Sequence, residues 1–181
     1  MSRDALIDHL KANALRLDGP FTLRSGATSS WYLDGRQVTF DGEGSWIVGQ
    51  AFHEALMPSV DAVGGMTMGA DPIAVATAMV ASREGRSLKA FSIRKETKDH
   101  GTGGRLVGPV SAGDRVALVE DATTTGGATR EAAEAAISGG LEIVQVIVMV
   151  DRSGGAAEEN LSFLGVPFVA LVTPEDLGVT G

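Results

Sequence analysis

Residues 116–129 constrain the possible folds of this chain more than any other segment. The apolar run 116–119 predicts a buried strand, Glu120 and Asp121 follow it, and a loop of threonine and glycine leads into a predicted helix over residues 126–138. Backbone N–H groups at a helix N-terminus, together with threonine hydroxyls, suit a phosphate. The two carboxylates would repel that phosphate unless they bind another group, for which sugar hydroxyls are suitable. Alternatively, the acids only cap the turn after the strand.

The rest of the chain alternates between apolar runs and helical spacing. Further strands are predicted at residues 61–65, 88–93, 143–150 and 168–172. Helices are predicted at residues 2–17, with Ser2 as N-cap, at 45–57, and from an N-cap at Asp71 with Pro72 at the first helical position. The pattern of residues 21–40 predicts a short segment that resembles a β-hairpin. This order indicates an α/β fold with a central parallel sheet flanked by helices, whose ligands bind at the carboxyl ends of the strands.

Composition excludes several functional classes. Fifteen lysines and arginines against 23 aspartates and glutamates give a net charge of −8, which argues against general binding of nucleic acid or of anionic membranes. The absence of cysteine excludes disulfides, thiolate zinc sites and a cysteine nucleophile, and three histidines argue against a histidine metal site. No apolar run reaches the roughly 18 residues of a membrane span. We therefore expect a cytoplasmic protein whose residues 1–181 form one domain.

The segment Val-Glu-Asp-Ala-Thr-Thr-Thr-Gly-Gly at residues 119–127 resembles the phosphoribosyl-pyrophosphate (PRPP) motif of the type I phosphoribosyltransferases. The resemblance implies that Glu120 and Asp121 hold the ribose 2′- and 3′-hydroxyls. It further implies that the loop binds the 5′-phosphate through Ala122, Thr123, Thr124, Thr125, Gly126, Gly127 and Ala128.

Residues 94–105 form a basic segment in an acidic chain, with glycines that disfavour a helix. Taken alone, it is either a solvated loop or a mobile lid that clamps a polyanion. The pattern Arg-Lys-Glu-x-Lys-x-His-Gly resembles the catalytic loop of the orotate phosphoribosyltransferases. By this resemblance Arg94, Lys95, Lys98 and His100 act on PRPP as catalytic residues, with Asp121, and residues 94–108 are the flexible lid.

Three further segments resemble the same family. Residues 21–36 resemble its N-terminal hood, which with the first helix spans about residues 1–40, although Trp31 and Tyr32 could equally be core aromatics. After the strand 143–150, the resemblance places Arg152, with Thr124, on the orotate; alternatively, Asp151 and Arg152 only pair in a turn. Residues 64–72 resemble the pyrophosphate loop, or serve a tight turn.

The resemblance runs from about residue 21 to residue 152, with three departures from the family's pattern. Arg24 and Gly69 stand where many relatives carry lysine, and Glu120 replaces a common aspartate. Glycine at residue 69 lacks the positive charge of the lysine that many relatives carry, so binding of pyrophosphate would depend more on the basic segment.

The resemblance implies transfer of phosphoribose from PRPP to orotate, in de novo pyrimidine synthesis. It also implies Mg²⁺ held mainly by PRPP and water, and a homodimer in which one subunit's lid covers the other's site. We expect no nucleic-acid or membrane partner. The alternatives are a phosphoribosyltransferase for another base, a PRPP-binding regulator, and a nucleotide-binding flavodoxin-like module.

Overall fold

The computed structural model describes residues 2–22, 28–96 and 104–180. The helices are α1 (Ser2–Asn13), α2 (Arg36–Thr39), α3 (Gly42–Ala55), α4 (Ala70–Arg83), α5 (Gly127–Ser138), α6 (Ala156–Leu161) and α7 (Pro174–Leu177), with a 3-10 turn at Ser162–Leu164. The strands are β1 (Leu15–Arg16), β2 (Phe21–Thr22), β3 (Thr28–Ser29), β4 (Tyr32–Leu33), β5 (Ala62–Met66), β6 (Lys89–Ile93), β7 (Leu106–Val107), β8 (Arg115–Thr123), β9 (Glu142–Asp151) and β10 (Phe168–Val172).

Within the described residues, the central sheet has six strands in the order β10-β9-β8-β5-β6-β7. Its neighbouring strands pair in parallel, except that the short edge strand β7 runs antiparallel to β6. The predicted parallel α/β sheet is confirmed, and β7 makes the whole sheet mixed. Chain order reverses between β5 and β8, and a crevice at such a reversal is where ligands bind in open α/β sheets.

The apolar residues of the central strands alternate between the two faces of the sheet. Ile147 and Met149 belong to a core that includes residues of α1, α3 and α4, whereas Val146 and Val148 belong to a second core with α5 and α6. All four side chains are at most 1% exposed. This two-sided burial explains why β9 reads as a continuous apolar run.

The N-terminal region departs from the prediction in two places. Helix α1 ends at Asn13, so the helix expected over residues 2–17 is too long, because β1 pairs instead with β4, with Leu15 opposite Leu33. Residues 21–40 contain the expected hairpin as β2 and β3, but they also contain β4 and the helix α2. Residues 23–27, which include Arg24, lie outside the described residues.

Two helix starts also differ from those expected. Helix α3 begins at Gly42, before residue 45, because the Asp41 carboxylate accepts a hydrogen bond of 2.8 Å from the Gly44 N–H and caps the helix. Helix α4 begins at Ala70, with Gly69 as N-cap, so Asp71 is not the cap. Asp71 accepts a hydrogen bond of 2.6 Å from the Thr67 hydroxyl, within the loop that leads into this helix.

Candidate active site

The chain-order reversal brings the loop after β5 against the polar end of β8. The sequence predicted that Glu120 and Asp121 follow the strand. Strand β8 instead continues to Thr123, so both residues lie within it. A Cβ atom on Gly69 would lie only 2.5 Å from Oδ1 of Asp121. A side chain at residue 69 would therefore require the Asp121 carboxylate to move away from the loop.

Glu120 and Asp121 point to opposite sides of β8, yet both line one cavity of about 400 Å³. The Thr129 hydroxyl of α5 donates a hydrogen bond to Oε2 of Glu120, and a backbone N–H donates to Oδ1 of Asp121. Burial raises the pKa of Glu120 to about 7, because it disfavours the charged form, and neighbouring Asp121 adds to the rise. Burial also raises the pKa of Asp121. At both carboxyl groups, desolvation thus outweighs the attraction of nearby cations and hydrogen-bond donors.

The loop after β8 is shaped by its glycines and by one buried threonine. Gly126 has φ of +75°, and a Cβ there would lie 3.2 Å from the backbone of Ala157. The buried Thr123 hydroxyl accepts a hydrogen bond of 2.9 Å from the Gly126 N–H, so it braces the loop from inside. Thr124 and Thr125 are exposed, as are Gly127 and Ala128. Of the three predicted hydroxyls, those of Thr124 and Thr125 are therefore the ones on the surface.

The N-terminus of α5 lacks the features that normally neutralise a helix start. Its cap, Gly126, has no side chain, and no acidic residue lies in its first turn. The N–H groups of the first turn and the helix dipole therefore favour an anion at this position. This geometry fits the predicted phosphate cradle.

Two cationic side chains within the described ranges line the cavity of the two acids, Lys95 and Arg36. Arg36 was not among the predicted site residues, although the Tyr-x-Asp-x-Arg pattern of the hood contained it. Its guanidinium Nε donates a hydrogen bond of 2.9 Å to Asp34. The positive charge of Arg36 also favours the ionised form of Asp121 and so opposes the rise of the Asp121 pKa. Tyr32, from β4, completes this side of the cavity.

Arg152 lies just after β9, in a second cavity of about 350 Å³ that also holds Thr124, Trp31 and Thr180. Its backbone N–H donates to the Thr123 carbonyl at 2.9 Å, which fixes the residue beside the phosphate loop. The Asp151 carboxylate accepts from the Ser153 N–H, so the alternative of an Asp151–Arg152 pair is wrong. Among the described residues, no carboxylate pairs with Arg152, and burial lowers its pKa. Thr180 was not among the predicted site residues, because only folding brings this distant part of the chain to the cavity.

The predicted basic lid is described only at its two ends. The Arg94 N–H donates to the Arg105 carbonyl at 2.9 Å, and Nε of Arg105 donates back to the Arg94 carbonyl at 2.7 Å. Arg105 also forms an ion pair with Glu131 of α5, so it ties the base of the segment to the body. Lys98 and His100 lie outside the described residues.

Together, the sheet order, the open helix N-terminus and the adjacent carboxylates define the class: this is a type I phosphoribosyltransferase fold. Orotate phosphoribosyltransferase of Streptomyces avermitilis is 43% identical over 178 residues, which cover 98% of this chain and 97% of the relative. A crystal structure of the Mycobacterium tuberculosis enzyme with Fe(III) dicitrate superposes with a TM-score of 0.85 at 34% identity, covering 99% of this chain and 100% of that one.

A second crystal structure of the Mycobacterium tuberculosis enzyme, in complex with PRPP, has a TM-score of 0.81 at 31% identity, with the same coverage of both chains. No protein-family model matches the sequence. The chain belongs to the orotate phosphoribosyltransferase family, whose members are pentosyltransferases. None of the helices in the described ranges has the length and hydropathy needed to cross a membrane.

Proposed function

We propose that this chain transfers the 5-phosphoribosyl group of PRPP to orotate, giving orotidine 5′-monophosphate and pyrophosphate in cytoplasmic de novo pyrimidine synthesis. The observation that carries the choice of base is Arg152: it is half-buried and has no carboxylate partner among the described residues. A guanidinium can bind a planar carboxylate through two parallel hydrogen bonds. Orotate has such a carboxylate, and Thr124 of the phosphate loop lines the same cavity.

PRPP binds in the neighbouring cavity, between the loops that follow β5 and β8. The N-terminus of α5 and the loop 122–128 hold the 5′-phosphate, Thr123 by shaping the loop and Thr124 and Thr125 by their exposed hydroxyls. Glu120 and Asp121 accept hydrogen bonds from the ribose hydroxyls, which supply the donors that these desolvated carboxyl groups lack.

The reaction is a displacement at the anomeric carbon through an oxocarbenium-like state, as in glycosyl transfer generally. The bond from the orotate ring nitrogen forms as the bond to pyrophosphate breaks, and the electron pair leaves with pyrophosphate. No enzyme nucleophile is needed, so the protein positions the reactants and stabilises charge. Arg94 and Lys95, with Lys98 and His100, neutralise the charge that develops on pyrophosphate.

The donor set of the cavity fits Mg²⁺ that is carried in by the substrate. No group of three metal-ligating side chains occurs in the described part of the chain, but Glu120 and Asp121 line the PRPP cavity. Mg²⁺ is commonly bound through one or two carboxylates together with substrate oxygens and waters. When bound, it would offset negative charge on pyrophosphate, and Asp121 is a carboxylate in the same cavity that could hold it.

A homodimer with shared sites completes the proposal. Val75 and Met79 project from the same face of α4 and are 54% and 64% exposed, and Met68, in the cavity wall, is 58% exposed. Exposed apolar groups next to a polar site are typical of an interface. A second subunit that covers this face would stand close enough to close its Lys98 and His100 over the site.

The test is a turnover assay with PRPP and either orotate or a purine base, each with and without Mg²⁺. We expect product from orotate, dependent on Mg²⁺, and none from adenine, guanine or hypoxanthine. Turnover of a purine instead would assign the chain to another base specificity. Binding of PRPP without turnover of any base would assign it to the PRPP-binding regulators.

A further inference from the structure

The orotate cavity has a second feature, the contact between Arg152 and Trp31. The guanidinium carbon of Arg152 lies 4.1 Å from the centroid of the Trp31 ring, within the range of a cation–π contact. The ring is 5% exposed, so the contact is largely shielded from water. Trp31 is thus the aromatic partner of the residue that is proposed to bind the orotate carboxylate.

Trp31 is itself fixed at both its backbone and its ring. The Ser29 hydroxyl donates to the Trp31 carbonyl at 2.7 Å, and the indole Nε1–H donates to the Thr180 carbonyl at 2.8 Å. Thr180 follows α7, whose start is capped by Thr173 and Asp176. The ring therefore has one defined position, set by segments at opposite ends of the sequence.

An aromatic partner has a chemical advantage over an acidic one at this position. A carboxylate would occupy the N–H edge of the guanidinium and compete with a substrate carboxylate for it. The ring contacts the face of the guanidinium and leaves that edge free. No described carboxylate pairs with Arg152, so its partly buried charge is left to the Trp31 ring face and to nearby Tyr32, which opposes the lowering of the Arg152 pKa by burial.

We infer that Trp31, anchored by the Thr180 carbonyl, is a positioning residue that holds the Arg152 guanidinium with its N–H edge towards the orotate carboxylate. This inference rests on the proposed function and adds to it the part of the chain that sets affinity for the base. It assigns to Trp31, in the hood, and to the segment after α7 a joint task in binding orotate.

The chain supplies its own matched control, because it has two tryptophans. Trp46, on α3, also faces an arginine: the guanidinium carbon of Arg83 lies 5.2 Å from its ring centroid. Trp46 lines neither the PRPP cavity nor the orotate cavity. The same substitutions at residues 31 and 46 therefore remove the same kind of contact inside and outside the site.

Kinetics of Trp31→Leu, Trp31→Phe, Trp46→Leu and Trp46→Phe test the inference. We expect Trp31→Leu to raise the KM for orotate by about 5- to 30-fold, the loss of a partly desolvated cation–π contact, with the KM for PRPP unchanged. Trp31→Phe keeps a ring face and should restore most of the orotate affinity. Both Trp46 variants should behave as wild type. An unchanged orotate KM in Trp31→Leu, or equal rises for both substrates, would overturn the inference.

The unmodified protein gives a second measurement, which needs no substitution at Trp31. With ¹⁵N-labelled tryptophan, the spectrum contains two indole N–H resonances, which the Trp46→Phe variant assigns. Addition of orotate should shift the Trp31 resonance and leave that of Trp46 in place. If orotate is turned over but the Trp31 resonance does not move, Trp31 does not act on the bound base and only the proposed function stands. If orotate is not turned over at all, both fail.

Discussion

Glu120→Gln removes one buried charge and keeps the shape of the side chain, so it isolates the cost of ionising Glu120 in the empty site. Folding raises the pKa of this carboxyl group from 4.5 to about 7, through burial and through Asp121. At pH values between 4.5 and about 7, the Glu120 carboxyl group is therefore mostly protonated in the folded protein and mostly ionised in the unfolded chain. A raised pKa contributes stability at pH below about 4.5 that is lost as pH rises through about 7.

The size of the effect follows from the two pKa values. The interval between 4.5 and about 7, at 1.36 kcal/mol for each pH unit, corresponds to about 3 kcal/mol at alkaline pH. At pH 5 the unfolded carboxyl group is already mostly ionised, so about 1 kcal/mol has been lost there. We therefore expect wild type to lose about 2 to 3 kcal/mol relative to Glu120→Gln between pH 5 and pH 8.5.

Urea unfolding at pH 5.0, 7.0 and 8.5, without ligand, measures this difference for wild type and Glu120→Gln. The glutamine carbonyl can still accept the hydrogen bond of Thr129, which keeps the comparison clean. Glu158→Gln is the control, because Glu158 is exposed on α6. If the difference between Glu120→Gln and wild type changes with pH no more than that between Glu158→Gln and wild type, the Glu120 carboxyl group is not desolvated in the folded protein and the reasoning is refuted.

Three substitutions test the proposed roles of other site residues. Asp121→Asn should raise the KM for PRPP and lower turnover, with the far-ultraviolet circular dichroism spectrum unchanged; full activity would refute its role on the ribose. Arg152→Ala loses a charged hydrogen bond worth about 1.5 to 3 kcal/mol, so the KM for orotate should rise at least about tenfold, and a rise for PRPP alone would contradict the assignment. Inactive Lys98→Ala and Asp121→Asn subunits, mixed equally and allowed to exchange, should regain about a quarter of wild-type activity, because each mixed dimer contains one intact site. No recovery, with exchange verified, would exclude sites shared between subunits.

The sequence predicted the parts of the fold that depend on local pattern. The apolar runs of β8 and β9 predicted two central strands of the sheet, and the helix expected to end at residue 138 does end there. The end of β8 could not be predicted, since residues 120–123 are polar and read as loop. They remain in the strand because they pair with β9, with Glu120 opposite Val148 and Thr123 opposite Asp151.

Contacts between distant segments account for what the sequence could not show in the site. Arg105 belonged to the basic run by its charge, but its ion pair with Glu131 joins residues 26 positions apart. The Trp31–Thr180 hydrogen bond joins residues 149 positions apart. The type of each side chain suggested the chemistry that it could perform. The residue that it contacts depends on how the strands are ordered in the folded sheet.

The contact between Gly69 and Asp121 links a missing lysine to the proposed sharing of sites. A Cβ at residue 69 would lie 2.5 Å from Oδ1 of Asp121, so a side chain there would require the Asp121 carboxylate to shift. Arg36 and Lys95 are the cations that line this cavity within the described residues, and Arg36 is already bonded to Asp34. Among the described residues, Lys95 is therefore the cation of this cavity that remains for pyrophosphate. In the proposed dimer, Lys98 and His100 of the partner subunit would add further positive charge.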